Sequence, residues 1–148
     1  MERTREALTA RRIDWLRGLR QQWVDGNIAV VHASPGNAWN APSPSAADDE
    51  FVRAYGELSS ALVVFGHLHV PFERRIGDLI VANIGSVGLP YDGDPRASYL
   101  IVEDGRPVNR RGEYDIDAEI RAIQTQRVPK GDWLSAMLRS GTYAAPPA

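Results

Sequence analysis

Apolar residues recur at helical spacing over residues 9–22, where Ile13, Leu16 and Leu19 or Arg20 fall on one side with Trp15 beside them, and Thr9 stands at the start as an N-cap. The arginines between them read as a solvated face. The pattern then changes to short apolar runs without alternation, Ile28-Ala29-Val30-Val31 and Leu62-Val63-Val64-Phe65, which predicts strands buried on both faces. Asp25-Gly26-Asn27 turns the chain into the first of them. Residues 33–48 are rich in Pro, Ser, Ala and Asn, and Pro35, Pro42 and Pro44 block regular structure, so a long loop is expected. A short helix over residues 50–58, capped by Asp48 or Asp49, should follow.

Beyond Pro71 strand follows strand. Residues 72–76 and 79–84 flank Gly77-Asp78, a hairpin signal. The glycine-rich connection Gly85-Ser86-Val87-Gly88-Leu89-Pro90 leads through Asp92-Gly93-Asp94-Pro95 to a strand over 98–102, and Asp104-Gly105 turns into another over 108–114. Two helices, 117–126 and 133–138, close the pattern with Gly141 ending the second, and the last five residues should fray. No internal repeat is present.

At 148 residues, with 43% hydrophobic and 24% charged residues, the chain is expected to form one soluble folded domain over 1–148. Its formal charge of −2 offers no global attraction for nucleic acid or an anionic membrane. The tryptophans are scattered without a basic stripe, against a nucleic-acid platform. With no cysteine there are no disulfides and no thiolate ligands, so a metal would be held by nitrogen and oxygen donors. No leader-like apolar core starts the chain, and the expected compartment is the cytoplasm.

The three histidines, His32, His67 and His69, all follow apolar strand-like runs. In an extended backbone, side chains two apart point to one side with Cα atoms roughly 6–7 Å apart, so His67 and His69 could face one cavity. That spacing suits two cations about 3.5–4 Å apart, or a single ion. An isolated H-x-H also fits ordinary half-buried loop histidines. Ser34 and Asn37 lie near His32 and read as turn residues. Ser86 lacks the G-x-S-x-G elbow of a serine hydrolase, and its glycine-rich surroundings lack a P-loop lysine.

His32-Ala33-Ser34-Pro35, then Gly66-His67-Leu68-His69-Val70-Pro71, Asn83-Ile84-Gly85-Ser86-Val87-Gly88 and Asp92-Gly93-Asp94-Pro95-Arg96-Ala97-Ser98-Tyr99 together resemble the carboxyl-terminal half of a calcineurin-like metallophosphoesterase, of the small bacterial and archaeal phosphodiesterase type. The resemblance implies an α/β (α+β) fold, a β-sandwich flanked by helices, here without its amino-terminal half. It implies metal ligation by His32, His67 and His69, and hydrolysis of small phosphate esters by a water activated between two divalent ions. Imidazole and carboxylate ligands suit Mn, Fe, Zn or Ni.

The family's D-x-H, G-D and G-N-H motifs, which carry its other ligands, are missing. Val30 and Phe65 precede His32 and His67 where a D-x-H needs aspartate, and Gly77-Asp78 occupies a hairpin turn. Ala33 replaces a common glycine. A truncated product, a mis-assigned start and half of a split protein all fit. The expectation is therefore a metallophosphoesterase incomplete as this chain alone, or a non-catalytic scaffold or interaction module that keeps the fold. Either leaves apolar sheet to be covered by a homo-oligomer or a partner chain.

Overall fold

The computed structural model describes residues 2–147. Its centre is the run Leu62–Phe65 (β3), every residue of which is buried. Because side chains alternate along a strand, β3 serves two cores at once. Val63 and Phe65 point to one face with Ala29, Val31 and Val81, while Leu62 and Val64 point to the other with Ile80 and Ala82. The elements in chain order are helices Glu2–Ala7 (α1) and Ala10–Arg17 (α2), strands Gln22–Asp25 (β1) and Ile28–Val31 (β2), helix Asp48–Tyr55 (α3), β3, strands Phe72–Ile76 (β4), Leu79–Asn83 (β5), Ala97–Glu103 (β6) and Arg106–Gly112 (β7), and helices Ile116–Thr125 (α4) and Gly131–Ser140 (α5). Five strands form a sheet in the order β1-β2-β3-β5-β4, with β2, β3 and β5 parallel and β1 and β4 antiparallel at the edges. The hairpin β6–β7 forms a separate two-stranded sheet.

The layers follow from the two faces of β3. On the first, α3 lays Phe51 and Tyr55 against Val63, Phe65 and Val81. Phe51, Tyr55, Phe65 and Phe72 make a chain of ring contacts with centroids 5.2–6.5 Å apart. On the second face, Leu100 and Val102 of β6 cover Leu62, Val64, Ile80 and Ala82. A central sheet flanked by helices is thus the observed architecture. Among the described residues no helix is long and apolar enough to cross a membrane.

Most of the expected elements are present with small shifts, and three corrections are physical. α2, preceded by a helix α1 that the sequence reading did not expect, is capped by Thr9 as expected, its side chain accepting from the Arg12 amide, but it stops at Arg17 with Gly18 as C-cap. The residues beyond it, Gln22–Asp25, form β1, paired with β2 across a two-residue turn in which Gly26 has φ +53°. The Trp23-Val24 pair, left between the expected helix and turn, is too short an apolar run to signal a strand. Second, β2 is not buried on both faces: Val30 is 39% exposed. Third, α3 is capped at Ala47, not by Asp48 or Asp49; the Glu50 carboxylate reaches back to the Ala47 amide (3.2 Å). Asp48 and Asp49 instead place negative charge at the helix's positive end. The long loop before α3 is tied to β4 by Arg74, whose guanidinium donates to the carbonyls of Pro44 and Ala46 and lies 5.0 Å from the centre of the Phe51 ring. The carboxyl-terminal tail lies against α5: Trp133 Nε1 donates to the Ala144 carbonyl (2.9 Å) and Lys130 Nζ to that of Pro147 (2.6 Å).

Candidate functional site

Parallel pairing puts the carboxyl ends of β2, β3 and β5 side by side, and the candidate residues follow directly from them. His32 comes straight after β2, and its carbonyl accepts from the Gly66 amide (3.0 Å), carrying the β2–β3 pairing one step past the sheet. A Cβ on Gly66 would meet that carbonyl at 3.6 Å, an ordinary contact, so close approach does not by itself demand glycine there. Asn83, the last residue of β5, is fully buried; its side-chain amide donates to the Gly66 carbonyl and its Oδ1 accepts from the Gly85 amide (2.9 Å). One side chain thus fastens both the turn carrying His67 and the turn that follows β5.

The histidine turn is not extended. His67 (φ +65°) and His69 (φ +59°) both occupy the left-handed region, and the Leu68 amide reaches the Gly66 carbonyl at 2.7 Å. For residues with a Cβ that conformation costs about 1–2 kcal/mol each. Strain of this kind persists where the surroundings hold it. The geometry expected from strand alternation is therefore replaced by a strained turn, which still presents the histidines at the sheet's end.

His32 and His67 meet edge to face, ring centroids 5.2 Å apart at 76°. His69 stacks on Tyr91, centroids 4.7 Å apart at 26°, and its Nδ1 lies 2.7 Å from the Leu89 carbonyl. A carbonyl only accepts, so Nδ1 carries the proton and the neutral ring keeps its lone pair on Nε2. Burial, then the nearby charges of His67 and His69, lower the pKa of His32 from its usual value. Its neutral, donor form is correspondingly favoured at neutral pH. All three predicted residues are therefore brought to one end of the sheet.

Two cavities flank them. Beside His32 a polar cleft of about 390 Å³ is lined by Arg20, Gln21, Ser34 and Trp39 among others. Beside His69 a larger, mainly apolar cavity of about 640 Å³ runs under α4 and α5. Ser34 and Asn37 are occupied as turn residues: Ser34 Oγ donates to the Asn40 carbonyl (2.7 Å) and Asn37 Oδ1 accepts from the Trp39 amide (2.9 Å). Ser86 Oγ likewise accepts from the Leu89 amide (3.0 Å).

A family model for the calcineurin-like phosphoesterase superfamily domain matches residues 10–105. The chain belongs to this superfamily. An uncharacterised protein of Methanocaldococcus jannaschii is 33% identical over 133 residues, covering 77% of this chain and 51% of that protein. The crystal structure of a metallophosphoesterase from Sphaerobacter thermophilus superposes with a TM-score of 0.80 at 27% identity, over 93% of this chain and 65% of the other. A hypothetical protein from Pyrococcus horikoshii shares the fold at a TM-score of 0.77 and 20% identity, over 94% of this chain and 57% of that one. The chain thus spans about half the length of the curated relative and under two thirds of these two structures.

Superfamily membership implies divalent metal ions, and the residues at hand fit that only in part. The imidazoles are suitable donors, with His32 favoured neutral and His69 holding Nε2 free. Among the described residues, however, no group of three or more His, Asp or Glu side chains is placed to hold an ion. Among the described residues no carboxylate joins the three histidines in such a group.

Sequence reasoning passed over four residues that shape the site. Tyr55 of α3 donates from its hydroxyl to the Ala33 carbonyl (2.8 Å), pinning the loop after His32. Asn83 was visible only as part of a motif, Tyr91 lay in a stretch read as a connection, and Arg20 was read only as an alternative to Leu19 in the helical spacing. Only Asn83 carried a signal, a polar residue closing an apolar strand.

Proposed function

We propose that this chain carries the histidine side of a metal-dependent phosphoesterase acting on small phosphate esters, with His32, His67 and His69 as metal ligands. Phosphodiesters are the substrates assigned, and Mn, Fe, Zn or Ni the ions. The remaining ligands, anionic ones above all, come from polypeptide outside these 148 residues. The supporting observation is the meeting of His32 and His67, 5.2 Å apart, at the carboxyl ends of parallel strands. Ligand sites of open α/β sheets lie in that position. A cytoplasmic setting belongs to this reading.

Two measurements test this on the same preparation: titration with Mn and Zn ions, and hydrolysis of bis-p-nitrophenyl phosphate with added Mn. The expected result is transition-ion binding weakened at least about tenfold by His67→Ala, a loss in the range seen when a ligand set is disturbed, together with loss in that variant of any turnover the chain sustains. A folded chain that neither binds a transition ion nor turns over the ester overturns the catalytic reading.

A second reading is favoured by a separate observation. Trp15, Leu16, Leu19, Trp23 and Val24 are 46–64% exposed around α2 and β1. In this reading the chain is a scaffold or interaction module whose apolar edge is covered by a second copy or a partner chain. Light scattering should then report self-association that Leu16→Glu with Leu19→Glu abolishes; a monomer at all concentrations removes the homo-oligomer.

A further inference from the structure

We propose that the cavity beside His69 seats the organic part of the substrate, and that this part is a planar aromatic group bearing one N–H donor. The inference rests on the phosphoesterase reading of the histidine cluster and names the substrate class for that site. Four segments build the cavity: the loop after β5 gives Leu89, the approach to α4 gives Tyr114, α4 gives Glu119 and Ile123, and α5 gives Leu134, with His69 at the margin. At about 640 Å³ it has the size of a small-molecule site, and like such sites it is apolar with few polar groups. Leu89 joins it to the histidines, because its carbonyl holds His69 Nδ1 while the residue itself lines the cavity. A ligand with its phosphate at the histidines therefore has an adjoining place for its organic group.

The polar groups choose the chemistry. Glu119 is the one charged carboxylate among the lining residues, and the Tyr114 hydroxyl is buried without a hydrogen-bond partner. Burial and the charge of Glu119 both raise the Tyr114 pKa, which places the two groups in one electrostatic environment. A carboxylate on an apolar wall accepts hydrogen bonds and repels anions. Glu119 stands exposed at the cavity's rim, where it offers an N–H edge a partner that an alkyl group cannot use and repels a second phosphate or a carboxylate. A flat ring lays its faces on Leu89, Ile123 and Leu134 and turns an N–H edge to Glu119.

Indole, which carries no phosphate, tests the cavity apart from hydrolysis, by saturation-transfer NMR on the full chain without added metal. The expected result is indole binding, weaker binding of 1-methylindole by several fold, and loss of that preference in Glu119→Ala. Gly88→Trp should weaken indole at least tenfold. Gly88 lines the cavity, and a Cβ there meets nothing within 4 Å, so the variant fills space without disturbing packed neighbours. No indole binding, or binding indifferent to both variants, overturns the inference even if bis-p-nitrophenyl phosphate is hydrolysed. Indole binding by a folded chain that neither binds a Mn or Zn ion nor turns over that ester leaves a binding cavity but overturns its role as a substrate seat, and there the phosphoesterase reading has failed instead. Turnover of indoxyl phosphate reduced by Gly88→Trp far more than that of methyl phosphate supports both.

Discussion

Helices α2 and α3 are the same length, eight residues, yet they end in opposite states. α3 buries Phe51 and Tyr55 completely against β2, β3 and β5, whereas α2 buries no residue and leaves Trp15 64% exposed. Periodicity identifies which face of a helix is apolar; it does not say that the same chain supplies something to cover that face. On the α3 side the cover is present. On the α2 side the sheet edge β1 is equally open, with every residue exposed. The relatives extend well beyond the span they share with this chain.

The sharpest test of the contrast is Phe51→Ala against Trp15→Ala. Truncating a buried aromatic leaves a cavity and should cost about 3–5 kcal/mol. Truncating an exposed one should stay within about 0.5 kcal/mol. Urea denaturation of both variants at one low protein concentration gives the comparison. If Trp15→Ala costs as much as Phe51→Ala, α2 is packed in solution and the contrast fails.

The next largest effect belongs to Asn83, where the well-covered side meets the site. Asn83→Ala orphans the Gly85 amide, worth about 1–3 kcal/mol when buried without a partner, and leaves the Gly66 carbonyl only the Leu68 amide. It also frees the strained histidine turn. Loss of stability should therefore come with loss of the His32–His67 contact, read as a shift of their imidazole proton resonances. A variant destabilised at least as much elsewhere, such as Phe51→Ala, should leave those resonances in place while the protein is folded. Unmoved resonances in Asn83→Ala would show that the turn holds itself.

The sequence was informative where chemistry is local. Turns at Asp25-Gly26-Asn27, Gly77-Asp78 and Asp104-Gly105, the two apolar strands and the Gly141 cap are all seen, because glycine geometry and continuous apolar runs need no distant partner. Family membership was legible from the order of the motifs. The convergence of His32 on His67 was legible only through that resemblance, since it depends on β2 and β3 pairing in parallel across a 30-residue interval of chain. What could not be read was contingent on tertiary contact: Tyr55 reaching the Ala33 carbonyl, Arg74 bracing the long loop, the left-handed backbone at His67 and His69, and β1, whose Trp23-Val24 pair sits outside any strong strand pattern. The metal role of the histidines stays a proposal, and carboxylates are the test of it.

The smallest expected effect concerns a third kind of attachment, one made by charge instead of apolar area. The loop before β6 holds the end of α5: the Gly93 amide donates to the Gly141 carbonyl (2.9 Å), and a Cβ on Gly141 would strike the Asp94 backbone at 2.8 Å. Asp94 fixes that loop by a two-oxygen contact with Arg96 (3.0 and 3.1 Å from Nε), while Arg111 pairs with Asp92. Hydrogen bonds from Arg96, side chain first and then backbone, together with the charges of Arg96 and Arg111, hold the Asp94 carboxyl well below the usual carboxylate range. A carboxylate whose pKa falls on folding stabilises the folded state above its unfolded value, near 4, and that contribution disappears as the pH drops below it. Amide protection at Gly93 and Gly141, measured against the intrinsic exchange rate at each pH, should therefore fall below about pH 4, while protection at Val63, in the apolar core under α3, persists. Asp94→Asn should show the lower protection already at neutral pH and lose the acid step. If Gly93 and Val63 respond to acid together in both proteins, α5 is held by packing and the charged loop only decorates it.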